Sequence, residues 1–340
     1  VVPARLRSSA WLVALASAFI ARAPDAHADG ASPSSREVAS LIAAITRDAR
    51  DAREPARAAD LVAPTPVELG AWKGASGCSY LAPKSGYVDA EGGVDVVFHF
   101  HAGQMTEKEL RAVGMNAVFV SCGYGIGSGA YSDAFASTAR FDRMVAEVVK
   151  SLAKDSGRRD VHVRKLALAS WSAGFAAVGK ILAVDRYYAM VDAVILNDSL
   201  HAGYLDPNPK TPGQGAARVN VKMLAPFVRF AKDAKDGAKA MVVTHSAILP
   251  PDYASSTEAT EAMLTAIGVP IRAIEATNER GMTMVRAADV GGLHVRGFKG
   301  RGPRDHFDHL HLLGEALQSR LVPRWKREER LVYTLAGEQL

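Results

Sequence analysis

Residues 163–181 read V-R-K-L-A-L-A-S-W-S-A-G-F-A-A-V-G-K-I, and they constrain the fold more tightly than any other stretch. The run 163–169 is short, apolar and suited to a buried strand, while 175–181 is Ala-rich and helix-compatible. The chain must therefore turn sharply around Ser172. A serine on such a turn is lifted out of the sheet. Small residues two before and two after it, Ser170 and Gly174, let the helix start close against the strand. That is the steric need behind the G-x-S-x-G elbow, here in a relaxed small-x-Ser-x-Gly form. The plainer alternative is that Ser172 only caps the N-terminus of the helix.

Strand-like and helix-like runs alternate on both sides of this turn. An apolar run beginning at Val94 ends in His101-Ala102-Gly103, a helix-like stretch covers 106–113, and a second strand over 116–121 opens into a Gly-rich loop at 122–130. A helix over about 136–154 precedes the elbow strand. After the elbow helix, a strand over 191–196 ends in Asn197-Asp198-Ser199. The pattern predicts an α/β fold, with a mostly parallel sheet covered by helices on both faces and right-handed crossovers. Short β-like pieces around Tyr80 and Tyr87 are expected as its first, antiparallel strands. Residues 200–237 loosen into a Pro- and Gly-rich excursion with a helical stretch at 217–235. Because it follows the C-terminal end of a strand, it is expected to overhang the side where open α/β sheets bind ligands, as a lid-like insertion. The sheet resumes at 240–245, with a helix near 257–267, a strand at 270–276, a strand-like piece at 282–287 and a last helix from about Asp305 to Leu321.

Across about residues 90–320, the His-Ala-Gly turn, the elbow and a late histidine follow one another in an order that resembles the α/β-hydrolase superfamily. The resemblance implies a serine hydrolase with no cofactor, most commonly acting on a carboxylic ester, with an amide or peptide bond as the alternative. A serine hydroxyl is a weak nucleophile until a base accepts its proton. The superfamily carries that base after the last strand, in the chain order Ser, acid, His. In Arg304-Asp-His-Phe-Asp-His-Leu-His311 this points to His306, with His309 and His311 as competitors. The acid must hold the imidazole in one tautomer. Asp198, at a strand end, is favoured, and Asp252, in the loop after 240–245, is the alternative. The oxyanion hole is expected from the amide of Ala173 and from the Ala102-Gly103 turn. His99 and His101 alternate with Phe98 and Phe100, so both are expected on one side of the strand. His101, Tyr124 and Tyr204 are expected to border the substrate.

Other chemistries fit less well. His99-x-His101 with His306-x-Asp308-His309 would supply imidazoles and carboxylates for a hydrolytic metal centre. Metallo-β-lactamase-like enzymes, however, carry His-x-His-x-Asp-His as one continuous motif, whereas here some two hundred residues divide it. No metal is therefore expected. Gly123-Tyr-Gly-Ile-Gly-Ser-Gly129 lacks the G-x-G-x-x-G spacing of a dinucleotide fingerprint. A net charge of +5 with no basic block or RNA-type aromatic motif argues against a nucleic-acid partner. A non-catalytic binding protein on a hydrolase scaffold is the remaining alternative. The expected partner is a small or polymeric acyl substrate, and oligomeric state is left open.

At the N-terminus, Arg5 and Arg7 precede the apolar run 11–21, and Ala26-His27-Ala28 offers a cleavage site, so residues 1–28 read as a secretory signal. No later stretch approaches the roughly 20 apolar residues of a bilayer span. Residues 29–70 are expected as a helix and linker, and 71–340 as the catalytic domain with the insertion at about 200–237. Export, to the periplasm or beyond, would permit a disulfide between Cys78 and Cys122, with two buried thiols as the alternative.

Overall fold

Every residue of Gly93–Phe100 is buried, which requires neighbours on both edges and helices on both faces. The computed structural model, which describes residues 67–75, 77–206 and 212–326, supplies both. In chain order the elements are β1 (Lys73–Ala75), β2 (Cys78–Leu81), β3 (Gly93–Phe100), α1 (Glu107–Val113), β4 (Val118–Cys122), α2 (Ser128–Ala134), α3 (Ala139–Ser156) and β5 (His162–Trp171). Then follow α4 (Phe175–Leu182), α5 (Asp185–Met190), β6 (Val191–Asn197), α6 (Ala225–Lys235), β7 (Ala240–His245), α7 (Ser256–Ala266), β8 (Arg272–Thr277), β9 (Thr283–Val290), β10 (Leu293–Phe298) and α8 (Pro303–Leu310).

The strands form one sheet in the order β1-β2-β4-β3-β5-β6-β7-β10-β9-β8. Its centre, β4-β3-β5-β6-β7-β10, is parallel, and both margins are antiparallel. Alternation divides the buried side chains between two clusters. Phe98, Phe100 and Leu168 pack with Phe141, Val178, Phe230 and Met263 under α3, α4, α6 and α7. Val97, Ala167 and Ala169 pack with Leu110, Val113, Leu317 and Trp325 on the other face. The expected helix-covered, mostly parallel α/β sheet is the one observed.

Several local expectations change. The strand at 270–276 and the piece at 282–287 become β8 and β9, an antiparallel margin, while the last parallel strand is β10, which the sequence pattern did not single out. Its run Leu293-His-Val-Arg-Gly-Phe298 alternates apolar with polar residues, so it lacks the continuous apolar signature of its parallel neighbours. A tight turn at Gly291 and Gly292 brings it back beside β7. A Cβ at Gly291 would lie 2.2 Å from the Lys235 carbonyl oxygen, and one at Gly292 2.2 Å from that of Lys239. The folded body also begins before residue 71: Leu69 is buried and bridges to Pro83. Tyr87 lies outside any strand. The signal segment and the helix expected within 31–62 fall outside the described residues.

Cys78 and Cys122 sit directly opposite each other on β2 and β4, with Cα atoms 4.4 Å apart, and form a disulfide. Between β6 and α6 the chain makes two short 3-10 turns, Ala216–Arg218 and Val221–Leu224, which pack against α7. Among the described residues, no helix is long and apolar enough to cross a membrane.

Candidate active site

Among the described residues, four non-glycine residues have positive φ: His101 (75°), Ala102 (59°), Ser172 (51°) and Asp198 (45°). All four follow directly on the C-terminal ends of β3, β5 and β6. Left-handed backbone is strained for L-residues and persists where surrounding structure enforces it. Its confinement to three adjacent strand ends marks one site.

At the elbow, β5 runs through Trp171, Ser172 turns left-handed, and α4 begins at Phe175. The turn is tight enough that a Cβ on Gly174 would lie 2.2 Å from the Phe100 carbonyl oxygen, so only glycine lets α4 start against β3. Ser170, standing where the usual elbow has glycine, is fully buried, and its hydroxyl bonds Ser199 Oγ at 2.8 Å. Ser199 Oγ in turn donates to the Ser172 carbonyl at 2.8 Å. The relaxed motif thus carries a hydroxyl relay that ties the elbow to the end of β6.

His306 lies in the first turn of α8, and its Nδ1 pairs with Asp198 Oδ2 at 2.6 Å. The other carboxylate oxygen accepts the Ser246 amide at 2.9 Å and the hydroxyl of Ser256, the first residue of α7. Burial alone would raise the Asp198 pKa. The neighbouring His309, together with the hydrogen bonds from His306 and Ser256, outweighs it and holds the carboxyl well below its ordinary range. Asp252 is exposed in its loop, away from this pairing. His309 points into the core, where its Nδ1 meets Thr244 Oγ1 at 2.8 Å, and His311 bonds Glu109 at 2.9 Å. Ser172, Asp198 and His306 share the wall of a cavity of about 30 Å³ with His201, Ser246, Ile248, Pro250, Tyr253 and Ser256. A larger cleft of about 670 Å³, bordered by Lys73, Tyr80, Tyr87 and Asp155, lies at the β1–β2 margin and includes none of these residues.

The turn after β3 differs in part from expectation. The strand ends at Phe100, so the alternation that would put His99 and His101 on one side stops before His101. His99 is buried beside Gly103 and Ser121, whereas His101 turns to bond the Tyr131 hydroxyl at 2.8 Å and stacks on Trp171. Its amide is spent on the Cys122 carbonyl. Neither Tyr124 nor Tyr204 borders the cavity that Ser172 lines. The Tyr124 hydroxyl faces Met144 Sδ at 3.3 Å and the Cys78 sulfur, because its ring packs among Tyr131 and Phe135. The Tyr204 hydroxyl is held by Glu258 at 3.0 and 3.1 Å, which anchors the β6–β7 connection to α7.

Sequence reasoning missed Trp171, Ser246, Ser256 and Tyr253. Only Trp171 carried a signal, its place inside the elbow. The indole donates to the His306 carbonyl at 2.8 Å and stacks on the His306 ring.

The buried histidines around the site set its response to acid. Burial brings His99 and His245 down to about 3 and His101 and His309 down to about 4. In the unfolded chain each binds a proton near pH 6.5, but in the folded chain only below about 4. The unfolded state therefore holds more protons across that window, and stability falls as pH drops from about 6.5, by up to ~1.4 kcal/mol per pH unit for each group. Urea midpoints should drop clearly between pH 7.5 and 5.5. A midpoint flat across that range would show that these imidazoles take up protons without unfolding.

No family model and no curated protein matches the chain. Solved structures similar to it include a cold-adapted esterase from an Arctic intertidal metagenomic library, at 16% identity over 74% of this chain and 92% of that one, with a TM-score of 0.35. A haloalkane dehalogenase loop variant from Bradyrhizobium elkanii is similar at 8% identity over 77% and 99%, with a TM-score of 0.41. A carboxylesterase from Bacillus subtilis is similar at 10% identity over 76% and 91%, with a TM-score of 0.36. At these scores the likenesses add nothing to what the chain's own topology displays: a strained serine on a strand-to-helix turn at the top of a parallel sheet, the β3 turn beside it, and serine, aspartate and histidine in that chain order. That topology is the α/β-hydrolase fold.

Proposed function

We propose that the protein is a serine hydrolase that cleaves a carboxylic ester through an acyl-enzyme. The observation that carries this reading is the bond from His306 Nδ1 to Asp198, at one wall of a cavity that Ser172 also lines. Paired in this way, the imidazole keeps its proton on Nδ1, which makes Nε2 the nitrogen that acts as the base. Ser172 Oγ attacks the acyl carbonyl as His306 takes its proton, and the tetrahedral oxyanion is held by the amides of Ala173 and the Ala102-Gly103 turn. His306 then returns the proton to the leaving alkoxide. Water, activated by the same imidazole, attacks the acyl-enzyme, releases the acid and restores the serine. An amide or peptide bond would follow the same course, with an amine as the leaving group.

The β6–β7 connection serves in this reading as a cap over the strand ends, tied down through Tyr204 and Glu258. Export is part of the proposal. It rests on the N-terminal segment, and the strand-to-strand disulfide suits an oxidising compartment.

Fluorophosphonate labelling tests the reading. One probe per chain, located on Ser172 by peptide mapping and undiminished by chelator, is the expected result. A folded protein that takes no label, or takes it on another residue, would overturn it.

A further inference from the structure

Trp171 occupies the position just before the elbow serine and is almost fully buried. Its ring stacks with two imidazoles. It meets His306 with centroids 4.7 Å apart and planes 29° from parallel, and His101 at 5.2 Å and 17°. The indole N–H donates to the His306 backbone carbonyl at 2.8 Å, a contact between residues 135 apart in sequence. Ring and N–H therefore bind the same residue from two directions, one through its side chain and one through its backbone.

A nearly parallel aromatic face against an imidazole supports the cationic form of that imidazole. In the hydrolase reading, on which this inference rests, His306 becomes a cation in each half of the cycle. We propose that Trp171 is a positioning residue for His306. Its ring supports the imidazolium that forms during turnover, and its N–H fixes the first turn of α8 so that the imidazole stands between Asp198 and Ser172.

The groups facing His306 leave this role to the indole. Asp198 holds the opposite edge of the ring through Nδ1. His101, also stacked on the indole, is kept neutral by burial and so brings no opposing charge to the stack. His201, beyond β6, is likewise held down chiefly by burial. On its own helix, His309 is neutral above about pH 4, and Asp305 is engaged with the Gly302 amide at 2.8 Å.

The test keeps the shape of the indole and changes its electrons. Fluorinated tryptophans carrying one, two or three ring fluorines are placed at position 171 alone by amber suppression. The His306 titration is followed by NMR of ¹³Cε1-labelled histidine, with the His306 signal assigned by its loss in His306→Gln. Fluorine withdraws charge from the ring face, so the His306 pKa should fall stepwise, by roughly 0.3–0.7 unit in total. The acid limb of kcat/KM for p-nitrophenyl acetate should move to lower pH with it, and the plateau should fall about two- to fivefold. Trp171→Phe, which keeps a ring but loses the N–H, should retain most of the His306 pKa while lowering kcat. A His306 pKa indifferent to fluorination would overturn the proposal and leave Trp171 as packing. The NMR titration needs no turnover, so it scores Trp171 separately from the hydrolase reading, which fluorophosphonate labelling scores.

Discussion

Ser172→Ala and His306→Ala should each lower kcat for an activated ester by roughly 10⁴- to 10⁶-fold, and the double variant should be no worse than either single one. Groups that act as one unit lose their function together. Without His306, Ser172 Oγ has no base and attacks only as a neutral hydroxyl. Without Ser172, the bond between His306 and Asp198 orients an imidazole with no nucleophile to serve. Catalysis that survives both changes would come from the amides of Ala173 and the Ala102-Gly103 turn, which neither substitution removes. Folding should be little affected, since Ser172 lines a cavity and its strained φ is imposed by Gly174, Phe100 and the Ser170–Ser199 relay. Single-turnover rates and thermal midpoints of the three variants decide the matter. Losses that multiply in the double variant would mean the two residues act independently, and the shared-proton mechanism would fall.

The elbow was legible because steric need writes itself locally. A sharp strand-to-helix turn against a neighbouring strand demands a small residue at a fixed offset, and Gly174 answers the Phe100 carbonyl. Asp198 was singled out because alternation of elements locates strand ends, whereas His306 was reached only through the chain order of the superfamily that the sequence resembles; the structure brings the two side chains to 2.6 Å. The parallel sheet followed from the same alternation.

What depends on three-dimensional register was not legible. Cys78 faces Cys122 only because β2 returns antiparallel to β4, and no spacing rule announces that. Nothing in the sequence places Ser256 behind Asp198, 58 residues earlier, because the contact arises where α7 starts beside the end of β6. The aim of the Tyr124 and Tyr204 hydroxyls was hidden in the same way. A tyrosine in a loop near the site can aim its hydroxyl inward or outward. Met144 and Glu258, both distant in sequence, decide that each of these looks inward. The strand β10 escaped because its alternating pattern looks half-exposed, although the Met241–Leu293 edge makes it the last parallel member of the sheet.

Asp198→Asn should lower kcat by about 10⁴-fold with little change in KM, whereas Asp252→Asn should leave both within about twofold. The direction follows from what the carboxylate accepts. Oδ1 receives the Ser246 amide and the Ser256 hydroxyl, both donors, so an asparagine at 198 is obliged to put its carbonyl oxygen there. Its NH₂ then faces His306 Nδ1, which must become an acceptor. The ring proton moves to Nε2, the nitrogen that ought to accept the Ser172 proton, and the base is lost although every heavy atom keeps its place. The loss should persist in a Ser256→Ala background, because the Ser246 amide still requires the carbonyl oxygen at that position. Steady-state kinetics with the NMR signal of the His306 ring proton would follow both events. A variant that keeps kcat while showing a proton on Nε2 would break the link between tautomer and turnover. Full activity in Asp198→Asn combined with loss in Asp252→Asn would transfer the acid to the exposed loop and require that loop to fold inward during catalysis.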